Sequence, residues 1–267
     1  MLRLRILTAL ILLPLVTVLV LLAPTWALAL VAGLVTLVAA WEWASLSGET
    51  AELLKISRII LVAVLLYLFW LARRNILILW IVALAALIWW LFAIFWVFRW
   101  RREFVRPAKL LCGFLTLVPA WVAAVALHES KHGPIKLLFL LVLIWAADSA
   151  AYFAGRAFGR HKLAPMVSPG KTWEGVAGGT LAMLVVALLG VWWALPASGY
   201  FLILICVLTG WLSIVGDLSE SLFKRQAGVK DSGVLFPGHG GVLDRIDSLT
   251  VAVPVFWIGL TLLEWLR

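Results

Sequence analysis

Residues 76–98, ILILWIVALAALIWWLFAIFWVF, carry no charged side chain. As a helix rising about 1.5 Å per residue, this run is long enough to cross the roughly 30 Å hydrocarbon core of a bilayer. A helix also satisfies every backbone polar group internally, which lipid demands. Working outward, similar apolar runs occur at about 6–22, 27–43, 59–72, 110–127, 135–155, 176–195, 200–216 and 249–265. The pattern predicts an all-α polytopic membrane protein with about nine transmembrane helices. The third run is the shortest. It is flanked by Arg58 and Arg73, so it either spans with both arginines snorkelling outward or dips in and returns.

Composition agrees. Of the 267 residues 65% are hydrophobic and 13% charged, with a mean hydropathy of +1.11, outside the range of a soluble domain. The net charge of +9 lies between apolar runs, where it meets anionic headgroups and sets orientation, so nucleic acid is excluded as a partner. Cys112 and Cys206 stand alone in apolar stretches; neither a disulfide framework nor a zinc site is indicated, and both read as buried thiols. The N-terminal MLRLRILTALILLPLVTVLVLLAP starts basic like a signal peptide, but its apolar run exceeds the usual core and no small-residue cleavage site follows. It reads as a retained first span. Trp26, Trp41, Trp43 and Trp100 fall near predicted span ends, as an interfacial belt requires, whereas Trp89 and Trp90 lie mid-span and need a packing explanation.

With the N-terminus in the cytoplasm and nine spans, 17 Lys and Arg fall inside and 5 outside, the expected asymmetry. Residues 1–130 hold the first five spans. Residues 131–267 form a C-terminal part that carries two longer polar stretches, 156–174 and 217–248, and function is expected there, with both stretches on the cytoplasmic side.

Acidic residues support that division. Glu49, Glu52, Glu103 and Glu129 fall in loops and read as solvated charge; Glu42, near the end of span two, is the exception. In the second half, Asp148 lies inside span six, Asp217 ends span eight, and Asp244 and Asp247 open span nine. Each costs about 2.5–3.5 kcal/mol at a helix centre and so needs a partner or a wet cavity. If span eight stays helical through Arg225, Asp217, Ser221 and Lys224 share one stripe with Glu220 at its edge. The run Val229–Gly241 holds Gly233, Pro237, Gly238, Gly240 and Gly241, a loop whose amides can approach an anion closely. Carboxylates on Mg²⁺, with Lys and Arg beside them, suit phosphate chemistry.

The other stretch, GRAFGRHKLAPMVSPGKTWEGVAGG from Gly155, adds Arg156, Arg160, His161, Lys162 and Lys171. Its GKT is not a Walker A loop, because Pro165 replaces the first glycine and no strand precedes it. A cap for span seven at Ser168 or Thr172 fits better, with Pro169 in the first turn and Glu174 at the positive end of the dipole. That N-terminus, beside Lys171, would also suit a phosphate.

The stretch SESLFKRQAGVKDSGVLFPGHGGVLDRID, Ser219 to Asp247, resembles the signature of the phosphatidate cytidylyltransferases, S-x3-hydrophobic-K-R-x4-K-D-x-G-x3-P-G-H-G-G-x2-D-R-x-D. Every specified position matches. SPGKTWEG at 168–175 is similar to the family's S-P-K-K-T-W-E-G, departing at Gly170. The resemblance implies condensation of CTP with phosphatidate to CDP-diacylglycerol and pyrophosphate, at the cytoplasmic face of a bacterial inner membrane, with Mg²⁺, one ion or two. It implies Asp217 and Asp244 as metal ligands. Ser221, Lys224, Arg225, Asp247 and Asp148 are implied in catalysis; Lys171, Ser168, Thr172, Lys230, Asp231, His239, Gly240, Gly241 and Arg245 are implied in binding substrate phosphates. Membrane lipids are the further partners, and a homodimer is admitted.

The lipid phosphate oxygen is already anionic near neutral pH, so His239 reads as a phosphate binder rather than an essential base. Two other classes remain as alternatives. An ion-coupled transporter would show repeat symmetry, yet the acids cluster in one half. A membrane phosphotransferase of the polyprenol kinase type would release CDP rather than pyrophosphate.

Overall fold

The computed structural model describes residues 2–100, 103–194, 199–235 and 240–265. Among these lie helices α1 (Leu2–Leu22), α2 (Thr25–Leu46), α3 (Glu52–Ala72), α4 (Ile76–Phe95), α5 (Arg106–Glu129), α6 (Gly133–Phe158), α7 (Trp173–Ala194), α8 (Gly199–Gln226) and α9 (Leu243–Trp265). Helices α2 to α9 are each long and apolar enough to cross a membrane, and α1 adds an apolar stretch over Leu10–Leu22. Exposed leucines, isoleucines and valines cover the outside of the bundle, as a lipid-facing surface requires.

The short third run resolves as a full span. Helix α3 starts at Glu52, ahead of the apolar run, and has 21 residues, about 32 Å of rise. Its two ends meet opposite ends of α5. Arg58 and Arg106 both pair with Glu49 (3.8 and 3.6 Å), while Arg73 pairs with Glu129 (3.2 Å). A dip-and-return would bring both arginines to the same end. These contacts also revise the expectation for the loop acids. Glu49 is buried, Glu103 binds Lys109 at 2.6 Å, and Glu129 holds Arg73 and Arg74; only Glu52 stays simply exposed.

Two buried clusters fill the bundle, and both draw on each half of the chain. One gathers Val20, Leu28 and Trp121 with Leu140 and Phe256. The other, nearer the polar loops, packs Trp43, Trp90 and Trp96 with Phe223 and Leu243. The mid-span tryptophans therefore have a packing role: Trp90 is buried, and Trp89 donates to Thr116 Oγ1 at 3.0 Å. Trp43 departs from the interfacial reading. It is buried against Phe223, and its Nε1 donates to the Lys109 carbonyl at 2.8 Å. Trp26 and Trp41 are exposed as expected; the Trp100 side chain lies outside the described residues. Cys112 and Cys206 are free and buried.

The closest helix pairs are α6 with α7 and α8 with α9, and small residues make this closeness necessary. A Cβ on Gly178 would lie 2.4 Å from Ala154 Cβ, and one on Gly216 would lie 2.5 Å from the Asp247 carbonyl oxygen. Backbones that approach without side chains between them hold the acidic positions of α8 and α9 side by side.

The stretch before α7 is a two-stranded antiparallel hairpin, β1 (Lys162–Ala164) and β2 (Ser168–Thr172), with Lys162 opposite Thr172. This corrects the expectation of Pro169 in the first helical turn. Thr172 is the cap, its Oγ1 accepting from Gly175 N at 3.1 Å, while Ser168 belongs to the strand. Glu174 clamps the base of the hairpin, accepting from the His161 backbone N–H and contacting His161 Nδ1 at 2.6 Å.

Candidate active site

A cavity of about 710 Å³ opens where α6, α7, α8, α9 and the hairpin converge. Asp148 enters from α6, Ser168, Lys171 and Thr172 from β2, Asp217 from α8, and Asp244, Arg245 and Asp247 from α9. The two polar stretches thus share one end of the bundle and one cavity. Helix α8 does run through Arg225, so the stripe expected for it exists: Ser221 Oγ donates to Asp217 Oδ1 at 3.3 Å, and Lys224 continues the same face.

The charges interlock. Lys171 Nζ lies 2.7 Å from Asp217 Oδ2, joining the hairpin to α8. Lys224 Nζ lies 2.5 Å from Asp244 Oδ1 and 3.4 Å from Glu220 Oε1, joining α8 to α9. Glu220 is buried, so its charge in this interior depends on that ammonium.

Among the described residues, two amides of the glycine-rich loop hold an anion. Asp244 Oδ2 accepts from Gly241 N (2.8 Å) and Ser232 N (2.9 Å), and Ser232 Oγ lies 3.0 Å from it. Gly240 has φ +81°, and a Cβ there would sit 2.4 Å from the same oxygen. A side chain at Gly240 would therefore be strained and would also displace the carboxylate. The anion these amides hold is one of the protein's own carboxylates.

A second such carboxylate comes from the far end of the sequence. Glu42, buried on α2, accepts from Val242 N (2.9 Å) through Oε1 and from Leu243 N (2.8 Å) and Ser232 Oγ (2.8 Å) through Oε2. A Cβ on Gly233 or Gly241 would come within 2.4 Å of a Glu42 oxygen. Glu42 thus caps α9, and through Ser232 it shares the loop with Asp244. Its position as a lone acid inside span two was the only signal in the sequence. Glu220, read as the edge of a stripe, proves to be part of the Lys224 pairing.

Other expected positions lie further out. Arg225, Lys230 and Asp231 are exposed and stand off the cavity wall. His239 lies outside the described residues, as do Pro237 and Gly238.

A polytopic helical bundle with four carboxylates, the Lys171 ammonium and the guanidiniums of Arg156 and Arg245 around one cavity defines a membrane protein with a site suited to phosphorylated, anionic substrates. The chain belongs to the cytidylyltransferase family, whose model matches residues 3–263. It is 43% identical to the phosphatidate cytidylyltransferase of Pseudomonas aeruginosa, over 96% of both chains. It is 38% identical to that of Haemophilus influenzae, over 96% of this chain and 97% of the relative. It is also 40% identical to that of Brucella suis over 62% of this chain and 61% of the relative.

Proposed function

We propose that this protein transfers the cytidylyl group of CTP to phosphatidate, giving CDP-diacylglycerol and pyrophosphate. The observation that carries the reading is the meeting of the two polar stretches in one cavity, with Lys171 of the first on Asp217 of the second at 2.7 Å. A phosphatidate oxygen attacks the α-phosphorus of CTP while the bond from that phosphorus to the bridging oxygen breaks, and pyrophosphate leaves with the electron pair. The attacking oxygen is already anionic, so the protein's task is positioning and charge stabilisation.

Lys171, Lys224 and Arg245 supply that charge. Lys171 can exchange Asp217 for a phosphate oxygen. Lys224 is fixed between Glu220 and Asp244, so its charge is aligned before substrate arrives.

Asp148, Asp217, Asp244 and Asp247 line the same cavity and carry the hard oxygen donors that Mg²⁺ takes. Asp217 and Asp244 would hold the ion, Asp217 once Lys171 has turned away. Mg²⁺ bound there would neutralise phosphate charge and orient the two substrates.

Purified protein in detergent with phosphatidate, labelled CTP and Mg²⁺ tests the proposal: labelled CDP-diacylglycerol and pyrophosphate should form together. Release of CDP with a phosphorylated lipid would replace it with a kinase reading.

The cavity mouth belongs at the cytoplasmic face, where soluble CTP reaches it. Single cysteines placed at exposed Arg160 and Lys230 should both be labelled by an impermeant maleimide only from the cytoplasmic side of oriented vesicles. Labelling of both from the opposite side would reverse the orientation.

A further inference from the structure

Resting on that proposed reaction, we propose that Arg156, steadied by Tyr152, takes the phosphate of the lipid acceptor, so that the two substrates are held by different elements of the cavity wall. Asp148, Tyr152 and Arg156 all line the cavity and stand at i, i+4 and i+8 on α6, a spacing that keeps them on one helical face. Arg156 is two residues from the end of α6, at the loop boundary, while Asp148 is ten residues from that end, about 12 Å deeper than Arg156. Side chains on a helix lean toward its N-terminus, and Arg156 Nη1 donates to Tyr152 OH at 3.0 Å. That bond turns the guanidinium back along the helix, over the cavity and toward Asp148.

Charge pairing separates Arg156 from the two lysines. Lys171 and Lys224 are held by Asp217 and Asp244. Arg156 forms no ion pair among the described residues, and its fork remains free to receive a phosphate in two parallel hydrogen bonds. Its setting suits a lipid ligand. Tyr152, Phe153 and Phe158 on the same helix are 59%, 68% and 71% exposed, as expected where a helix meets lipid and headgroups. Val176, Met183 and Ile214 add an apolar stretch to the wall, side chains on the spanning helices that can accept the glycerol and the start of the acyl chains. The hairpin, which packs beside the end of α6 through Thr172 and brings Ser168, Gly170 and Lys171 to the cavity, is left for the soluble triphosphate.

Two measurements test this. In mixed micelles, Arg156→Ala should raise the apparent KM for phosphatidate mole fraction about tenfold or more and leave that for CTP within about twofold, as loss of a charge-assisted contact to one substrate requires. Arg156→Lys should fall between, and Tyr152→Phe should give a rise of about two- to fivefold. Independently of turnover, phosphatidate but not diacylglycerol should raise the thermal midpoint of the wild type, with that shift lost in Arg156→Ala. A rise confined to KM for CTP would assign Arg156 to the nucleotide. Unchanged KM for both, with the thermal shift intact, would make it a membrane anchor. Either result overturns the inference while wild-type synthesis of CDP-diacylglycerol upholds the reaction. If Arg156→Ala fails to accumulate, the lysine and phenylalanine variants decide by the same criteria. A wild type that binds phosphatidate through Arg156 but forms no CDP-diacylglycerol would overturn the reaction alone.

Discussion

Asp217→Asn is expected to lower kcat by about 10³-fold or more while leaving the protein folded in the membrane, because the site needs the charge at this position and the fold does not. The side chain is 31% exposed, and its partners are a lysine and a serine hydroxyl. An ion pair this accessible contributes only about 0–1 kcal/mol to stability, so the amide should unfold at nearly the wild-type temperature. What the amide loses is an anion that can release Lys171 and receive Mg²⁺. Asp244→Asn should also abolish turnover, with an additional local signature. Its carboxylate accepts from Ser232 and Gly241 as well as from Lys224, and an amide cannot serve all of these donors. The loop should therefore loosen, seen as faster tryptic cleavage at Lys230, while Asp217→Asn leaves cleavage unchanged. Near-wild-type activity of Asp217→Asn at low Mg²⁺ would sink its role as a metal ligand.

Glu42→Gln is expected to cost about 10²-fold in kcat, although residue 42 lies in the second helix and off the cavity wall. Both of its oxygens are used as acceptors, by two backbone amides and one hydroxyl. An amide must turn its NH₂ toward at least one of these donors, and a buried donor left unpaired costs about 1–3 kcal/mol. The affected atoms are the first turn of α9 and Ser232, which together set Asp244. A shift of about 1 Å in such a group can cost about 10²-fold in rate. Glu42→Ala combined with Gly233→Ala gives a sharper test. The Gly233 substitution should reduce activity in the wild type, where its Cβ would meet Glu42 Oε1 at 2.4 Å, and should cost nothing further once Glu42 is removed. Additive losses would show that the contact does not position the site.

These two residues mark how far the chain could be read without coordinates. Asp217 stood out locally: a carboxylate at the end of an apolar run, followed at helical spacing by Ser221 and Lys224, states its own cost and its own neighbours. The apolar runs were equally plain, because lipid leaves a spanning segment few alternatives to a helix. The same local logic overreached at the glycine-rich loop. Composition announced amides able to hold an anion, but it could not say that those of Ser232 and Gly241 hold Asp244.

Periodicity and the motif therefore settled the class of fold and picked out the four aspartates that line the cavity, since these depend on neighbours within a few turns of one helix. Packing alone settled that α3 crosses fully, that Trp43 is buried rather than interfacial, that the stretch before α7 is a hairpin, and that Glu42 organises a loop 190 residues away. Those outcomes depend on which helices lie side by side. That in turn depends on the close approaches at Gly178, Gly216 and Gly241, where the absence of a side chain becomes informative only once its neighbour is known.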